Sequence, residues 1–478
     1  MSKNFYITSP IFYPNAKLHM GHAYTMTLCD ILARYHKLIN EDTYFLAGAD
    51  ENTGKVTKAA AEKGQTLDVF LGEITKGFKK LYLDLDISFD QFIQTTDKEN
   101  HWPGAIAVWN KLVASDDIYK NAYEGLYCQN CEAFYTDKDL IDGKCPMHGT
   151  LPEKIKEENY FFRLSKYTSQ LKSKIEKDEL KITPESRKNE ILALFERGLQ
   201  DVSFSRPIAN VPHGIPVPGD PTQVIYVWCD ALVNYISALG YGKNENELFK
   251  KFWPADVQVI GKDILRFHAA IWPAMLLSSG LPLPKNLFVH GFITSGGKKM
   301  SKSVGNVIDP ISLIDEYGKD ALRYYLAREI SPFEDGDITV EKFKESYNAN
   351  LANGLGNLVS RVMKMAESYG VTIDDESSEF WTEKTVIENL ETFNIQKYCD
   401  EIWNVDIKGL DEYIQREKPF SKIKIDKAGA EKDLKYLLIH LRGIAMKLQP
   451  ILPETAEKIL KLIKENKSPE APLFARKD

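Results

Sequence analysis

The chain is 478 residues long, 43% hydrophobic and 27% charged, with a formal net charge of −7. That length accommodates about three domains with ample apolar material for their cores. No apolar run approaches the ~18 residues of a membrane span, since AAIWPAMLL is short and broken by Pro273, and the acidic total argues against a general nucleic-acid coat such as a DNA-covering protein.

The chain opens on NFYITSPIFY, rich in aromatic and β-branched residues and so strand-like, and continues into AYTMTLCDILARY, where Met26, Cys29 and Ala33 recur at helical spacing. Between them His19, Gly21 and His22 stand at the start of that helix. Unpaired backbone N–H groups and the positive end of the helix dipole make such a place a phosphate site, and a glycine lets the phosphate approach closely. Alone, HMGH reads equally well as a turn with incidental histidines. The runs KNFYITSPI, DTYFLAGAD and FDQFIQTT alternate with helical ones over residues 1–117, the pattern of a parallel α/β sheet.

Residues 118–215 break the alternation and read as an insertion. They contain YCQNCEAFYTDKDLIDGKCPMHG, a charged helical stretch SKYTSQLKSKIEKDEL and a Pro/Gly-rich exit. Cys128-x2-Cys131 and Cys145-x2-His148 form two knuckles whose three thiolates and one imidazole suit a closed tetrahedral Zn²⁺ shell. One structural zinc per chain is expected, with no open position for chemistry. Cys29, Cys229 and Cys399 stand alone in apolar stretches, as reduced core thiols do. With no charged-then-apolar leader pattern, a cytoplasmic location is expected.

Strand-to-helix text resumes over residues 216–295 in QVIYVWCDALVNYISAL, VQVIGKDILRFHAAIWPAMLL and NLFVHGFI, so the sheet is expected to be completed there. Residues 296–345 begin with GGKKMSKSVGN, where lysines on a glycine-hinged loop can swing towards a polyphosphate; alone, a solvated lysine turn is the simpler reading. Residues 346–478 are almost purely helical and read as a separate bundle.

HMGH early, a split sheet, and KMSKS after its second half together resemble the class I aminoacyl-tRNA synthetases, whose signatures are HIGH and KMSKS. The zinc knuckle, YVWCDALVNY, IGKDILRFH and NLVSR are similar to the methionine enzymes of that class, bacterial type with a single knuckle, over nearly the whole chain. The resemblance implies an α/β fold: a split Rossmann-type parallel sheet, a zinc-binding connective peptide, a stem-contact region and a C-terminal α-helical anticodon-binding bundle. It implies a methionine-tRNA ligase that uses ATP with Mg²⁺ to make methionyl-adenylate and pyrophosphate from L-methionine, then charges the 3′ terminal adenosine of methionine tRNA. Such chemistry rests on positioning and charge stabilisation, without a covalent enzyme intermediate.

By the same resemblance His19, His22, Lys299 and Lys302 are catalytic, and Gly21, Met300 and Ser301 join them in binding ATP. The methionine pocket is Ile11, Tyr13, Trp228, Ala231, Tyr235, Ile264 and His268, with Asp50 holding the ammonium. A thioether suits aromatic edges, and a Tyr hydroxyl or His N–H can give its sulfur a weak hydrogen bond. Asn357 and Arg361, at i and i+4 on one helical face, read the anticodon with Phe420, which stands where relatives usually carry tryptophan. ADENTGK departs from the pattern, placing Asn52 and Thr53 where relatives have histidine and glycine. The leucine, isoleucine and valine enzymes share both signatures but need a larger editing insertion, for which residues 118–215 leave no room. A small HxGH nucleotidyltransferase would lack the bundle, and a zinc-dependent RNA-binding module would make both signatures accidents. Without an OB-fold extension, a monomer is expected, with neither membrane nor DNA as partner.

Overall fold

Strands buried on both faces read as continuous apolar runs, and NFYIT, VQVIG and NLFVH become the centre of one sheet. The computed structural model describes residues 3–128, 133–135, 140–146, 149–300, 306–374 and 384–478. The sheet has six strands in the order Gln91–Gln94, Asp42–Ala49, Asn4–Thr8, Val257–Gly261, Asn286–His290, Lys181–Thr183, and every neighbouring pair is parallel. The chain leaves Asn4–Thr8 in one direction through the sheet and returns to its other side at Val257–Gly261. The crevice beyond the carboxyl ends of those two strands is a topological switch point, where open α/β sheets bind ligands.

The chain divides into two compact units. The first comprises residues 1–18, 41–80 and 89–290; the second comprises residues 19–40, 81–88 and 291–478. The first unit contains the six-stranded sheet and a large core that includes Tyr6, Trp109, Phe162, Tyr235 and Trp272. It also holds a four-stranded antiparallel sheet, Ala133–Tyr135, Ile118–Cys128, Glu153–Phe162 and Val202–Ser203, and a three-stranded one, Pro216–Val217, Asp220–Ile225 and Ser205–Pro207.

Two expectations change. QVIYV does not re-enter the main sheet: Asp220–Ile225 is the middle strand of the small antiparallel sheet, and Val257–Gly261 with Asn286–His290 completes the parallel one. Conversely Lys181–Thr183, within the stretch read as insertion, supplies an edge strand of the main sheet. A three-residue KIT between charged runs carries too little apolar periodicity to announce itself.

The second unit contains the first helix, Met20–Leu38, and the helices of the C-terminal region, among them Lys319–Tyr324, Asn357–Tyr369, Lys408–Glu417, Lys427–Leu448 and Pro453–Glu465. Asp30, fully buried on the first helix, is ion-paired at 2.7 Å with the equally buried Arg323 and at 2.7 Å with Arg34. Its other oxygen accepts from the Ser88 N–H and hydroxyl, both at 2.7 Å. Arg323 also donates to the carbonyls of Leu85, Pro450 and Ile451. Burial alone would raise the Asp30 carboxyl, but Arg323, Arg34 and Ser88 outweigh it and hold the group below the usual carboxylate range. Its stabilisation is therefore complete above the unfolded carboxylate pKa and lost as pH falls through the lowered one. Arg323→Ala leaves a buried carboxylate and several carbonyls short of a partner, so it should cost about 3–5 kcal/mol in urea unfolding. A loss under about 1 kcal/mol, the value of an exposed pair, would refute this view of the pair.

Candidate active site

The first unit carries the residues expected to bind methionine at or near the carboxyl ends of its central strands. Ile11 and Tyr13 follow Asn4–Thr8, Asp50 follows Asp42–Ala49, and Ile264 and His268 follow Val257–Gly261. Trp228 and Ala231 lie in the short helix Val227–Ala231 and Tyr235 in Asn234–Ser237. Ile11, Tyr13, Trp228 and Ile264 are half-buried and pack on the core that includes Tyr235. Trp228 stacks on Phe267, ring centroids 3.7 Å apart and 10° from parallel, a neighbour that the motifs did not announce. Gly48 is another omission: a Cβ there would sit 2.7 Å from the Ile11 side chain and 2.5 Å from the Ile93 carbonyl oxygen, so only glycine lets Ile11 lie against the strand.

His268 Nδ1 is 3.0 Å from the Ile264 carbonyl and so carries the hydrogen. Its Nε2 then accepts from the Tyr235 hydroxyl at 2.7 Å. Burial pushes the imidazole down to about 4, so the ring is neutral at pH 7. Both polar hydrogens are already used. The expected weak hydrogen bond to a thioether sulfur is thus not available from this pair as arranged, and polarizable ring surfaces are what it offers. Asp50 is buried, and its N–H donates to the Phe12 carbonyl at 3.0 Å, tying the carboxylate-bearing turn to the Ile11–Tyr13 segment.

The second unit supplies the nucleotide signatures. His19 caps the first helix: its Nδ1 accepts the Gly21 N–H at 3.1 Å, while His22 Nδ1 accepts the His19 N–H at 3.0 Å. This is a capping box built from two imidazoles, whose ring centroids are 3.9 Å apart. Because each Nδ1 accepts, the neutral rings carry their hydrogens on Nε2, on the side away from the backbone. Burial and the neighbouring His19 hold His22 well below the usual histidine range. The first turn contains no acidic residue, so nothing there opposes an anion.

The stem of the lysine loop is a hairpin, Ile293–Ser295 with Lys298–Lys299, turned by Gly296 and Gly297 at φ 61° and 72°. Both φ values are positive, as the tight hairpin turn requires. Asp337 on the neighbouring parallel strand accepts from the Gly297 N–H at 2.8 Å, the Thr294 hydroxyl at 2.9 Å and Lys342 at 2.8 Å. Asn306 donates to the Ser295 carbonyl at 3.2 Å from beyond the loop. Neither Asp337 nor Asn306 was legible as a support, since both lie outside any motif. Lys299 is placed by its backbone in this hairpin and Met300 is half-buried at its end. Ser301 and Lys302 lie outside the described residues.

A family model described as tRNA synthetases class I (M) matches residues 5–150 and 138–363. The methionine-tRNA ligase of Clostridium acetobutylicum is 45% identical over 96% of this chain and 73% of that protein. That of Thermotoga maritima is 39% identical over 97% of this chain and 76% of that protein. The solved methionyl-tRNA synthetase of Mycobacterium tuberculosis in complex with methionyl-adenylate is 36% identical, with a TM-score of 0.89 over 96% of this chain and 94% of that one. The chain belongs to the methionyl-tRNA synthetases.

In this synthetase Cys128 and Cys145 are both buried and meet at Thr150: the Cys145 N–H donates to the Thr150 carbonyl at 2.9 Å, and Cys128 Sγ lies 3.7 Å from Thr150 Oγ1. The Gly149 N–H closes the second knuckle on the Cys145 carbonyl at 2.8 Å. Cys131 and His148 lie outside the described residues, among which no group of three possible metal ligands occurs. Two buried free thiols beside the same threonine are donors of the kind a closed zinc shell uses. Wild-type protein should carry about one zinc per chain by elemental analysis, and Cys128→Ala should lose it. Metal-free wild type would refute the knuckle.

On the helical bundle of the synthetase, Asn357 and Arg361 are exposed one turn apart on Asn357–Tyr369. Arg361 is ion-paired with Asp411, which also accepts from Gln415 at 2.6 Å. Phe420 is 46% exposed at the start of the short helix Pro419–Lys422. Among the described residues no helix is long and apolar enough to cross a membrane.

Proposed function

We propose that this synthetase activates L-methionine with ATP and Mg²⁺ and passes the methionyl group to the 3′ terminal adenosine of methionine tRNA. The methionine carboxylate oxygen bonds to the α-phosphorus of ATP as the bond from that phosphorus to the pyrophosphate oxygen breaks. Mg²⁺, arriving with the nucleotide, supplies charge neutralisation on its phosphates. Asp50 takes the methionine ammonium, and Tyr13, Trp228, Ile11, Ile264, Ala231, Tyr235 and His268 enclose the side chain. The neutral His268 and Tyr235 pair gives that enclosure no charge, which suits a thioether over a polar side chain.

On the nucleotide side His19 and His22 offer Nε2–H donors beside the helix N-terminus, with Gly21 between them; Lys299, Met300, Ser301 and Lys302 complete the set, the lysines meeting charge that develops on the pyrophosphate. Zinc held by Cys128, Cys131, Cys145 and His148 stiffens the connective peptide. Asn357, Arg361 and Phe420 read the anticodon. The domain plan that goes with this reading is a catalytic sheet over 1–117 and 216–295 joined by the edge strand Lys181–Thr183, the connective peptide over the rest of 118–215, the stem-contact region over 296–345 and the anticodon domain over 346–478. We take the enzyme to act in the cytoplasm as a monomer.

The observation that carries the reading is the double-histidine capping box, which places two imidazoles at a helix N-terminus whose first turn holds no carboxylate. The test is ATP–pyrophosphate exchange across the twenty amino acids. Methionine alone should support it, and exchange with leucine, isoleucine or valine at comparable rates would overturn the assignment. Trp228→Ala should raise the methionine KM by at least about tenfold, the scale on which an apolar pocket discriminates; an unchanged KM would remove Trp228 from the pocket.

A further inference from the structure

Asp230 lies two residues beyond Trp228 on the helix Val227–Ala231 and is fully buried. No step of the reaction uses it. Its Oδ1 lies 2.6 Å from His101 Nε2, and its Oδ2 accepts from the Asn52 amide at 2.8 Å. The same amide nitrogen gives its second hydrogen to the Thr95 carbonyl at 2.8 Å. His101, itself fully buried, places Nδ1 2.8 Å from the Ser237 hydroxyl. Thr95 Oγ1 in turn accepts the N–H groups of Glu51 at 2.8 Å and Asn52 at 3.1 Å. A continuous run of buried hydrogen bonds thus joins the turn that carries Asp50 to the helix that carries Trp228.

We propose that Asn52, Asp230 and His101 are positioning residues of the methionine pocket, fixing the distance between the carboxylate that takes the ammonium and the indole that takes the side chain. The inference rests on the pocket reading given above. Asp50 and Trp228 come from distant parts of the sequence, and each stands two residues from a member of the run, so backbone slack between anchor and pocket residue is small. Buried, hydrogen-bonded polar groups rigidify what they connect. The chemistry also accounts for asparagine at position 52: both neighbours of its amide nitrogen are acceptors, so a donor of two hydrogens is needed there. Its Oδ1 is buried with no hydrogen-bond partner, so the amide is held in this orientation by its nitrogen alone.

Asn52→Asp keeps the shape and turns an acceptor towards Asp230. It should raise the methionine KM at least about tenfold, leave the ATP KM within about twofold, and narrow the preference for methionine over norleucine. Asn52→His restores one N–H donor of the two and should recover part of the lost affinity. An Asn52→Asp enzyme that melts at a lower temperature yet keeps the wild-type methionine KM would overturn the proposal, as would equal losses for methionine and ATP. If Asn52→Asp does not fold, Ser237→Ala carries the test by withdrawing the outermost partner of His101: a several-fold rise in methionine KM alone supports positioning, and no rise overturns it. Trp228→Ala and Asp50→Ala run alongside. Wild-type methionine KM in both would fault the pocket itself, whereas raised values there with an unaffected Asn52→Asp would fault only the positioning role.

Discussion

His22→Ala is expected to slow methionine-dependent pyrophosphate exchange by about 10²–10³-fold, the effect of losing one preorganised donor to a developing anion, while methionine Kd hardly changes. Two roles meet in this ring, since His22 also accepts the His19 N–H that closes the capping box. Other substitutions separate them. Glutamate and glutamine are the usual residues at this third position of a capping box and can reach back to the same N–H. His22→Glu would therefore keep the cap but present negative charge to the phosphates, and should be as inactive as His22→Ala or worse. His22→Gln keeps the cap and an N–H donor, so it should fall between them and wild type. If glutamate and glutamine restored exchange equally, the ring would be a cap and nothing more. The depressed basicity of His22, from burial and then from His19 beside it, adds a pH signature. Protonating Nδ1 breaks the cap, so its contribution is intact above the ordinary histidine pKa of about 6.5 and is lost only as pH falls through the lowered value.

Arg361→Ala should cut charging of methionine tRNA by about 1–3 kcal/mol in transition-state binding, or some ten- to hundredfold in kcat/KM, the worth of a two-point contact to a base edge. Pyrophosphate exchange without tRNA should be nearly untouched. The structure supplies the rival account as well, because Arg361 is a surface residue ion-paired with Asp411. An exposed pair of that kind is worth about 0–1 kcal/mol, so a purely structural Arg361 predicts small and equal effects from Arg361→Ala and Asp411→Ala. A recognition role predicts that they part: Asp411→Ala leaves the guanidinium in place and should charge tRNA at least as well as wild type. Asn357→Ala, one turn earlier on the same exposed face, should follow Arg361→Ala. Phe420→Trp should be tolerated and Phe420→Ala should not, since stacking contributes about 1–3 kcal/mol per base. Wild-type charging by Arg361→Ala would end the anticodon assignment for this helix.

What could be read in advance was whatever repeats locally. Buried parallel strands such as VQVIG are apolar throughout, and the helix after HMGH has regular spacing, so sheet, signature and bundle were all visible as text. Pairing partners were not. Nothing in KIT at 181–183 says that it joins Asn286–His290, and the QVIYV run looks like a parallel core strand although it pairs antiparallel with Ser205–Pro207. The pocket followed the same rule. The residues proposed to line it sit in recognisable motifs, whereas Gly48, Asp337 and the partners of Asp230 act through contacts with residues distant in sequence. Asn52 shows the limit best: as text it was a departure without a role, and only the two acceptors around its amide give it one.

The assignment of the first helix to the second unit bears on how the protein is made. Asn4–Thr8 can find Asp42–Ala49 almost as soon as both have left the ribosome. The helix between them meets Ser88 soon afterwards, but its remaining partners come much later: the Tyr24 hydroxyl donates to the Ser331 carbonyl, 307 residues on. At a translation rate of roughly 5–20 residues per second, the nascent chain carries that helix only partly covered for about fifteen seconds to a minute. Met26, Leu28, Ile31 and Leu32, buried in the finished protein, lack part of their final cover during that interval. Packing of this helix is therefore completed only by residues from 291 onward, and nascent chains stalled before residue 291 would display its apolar face.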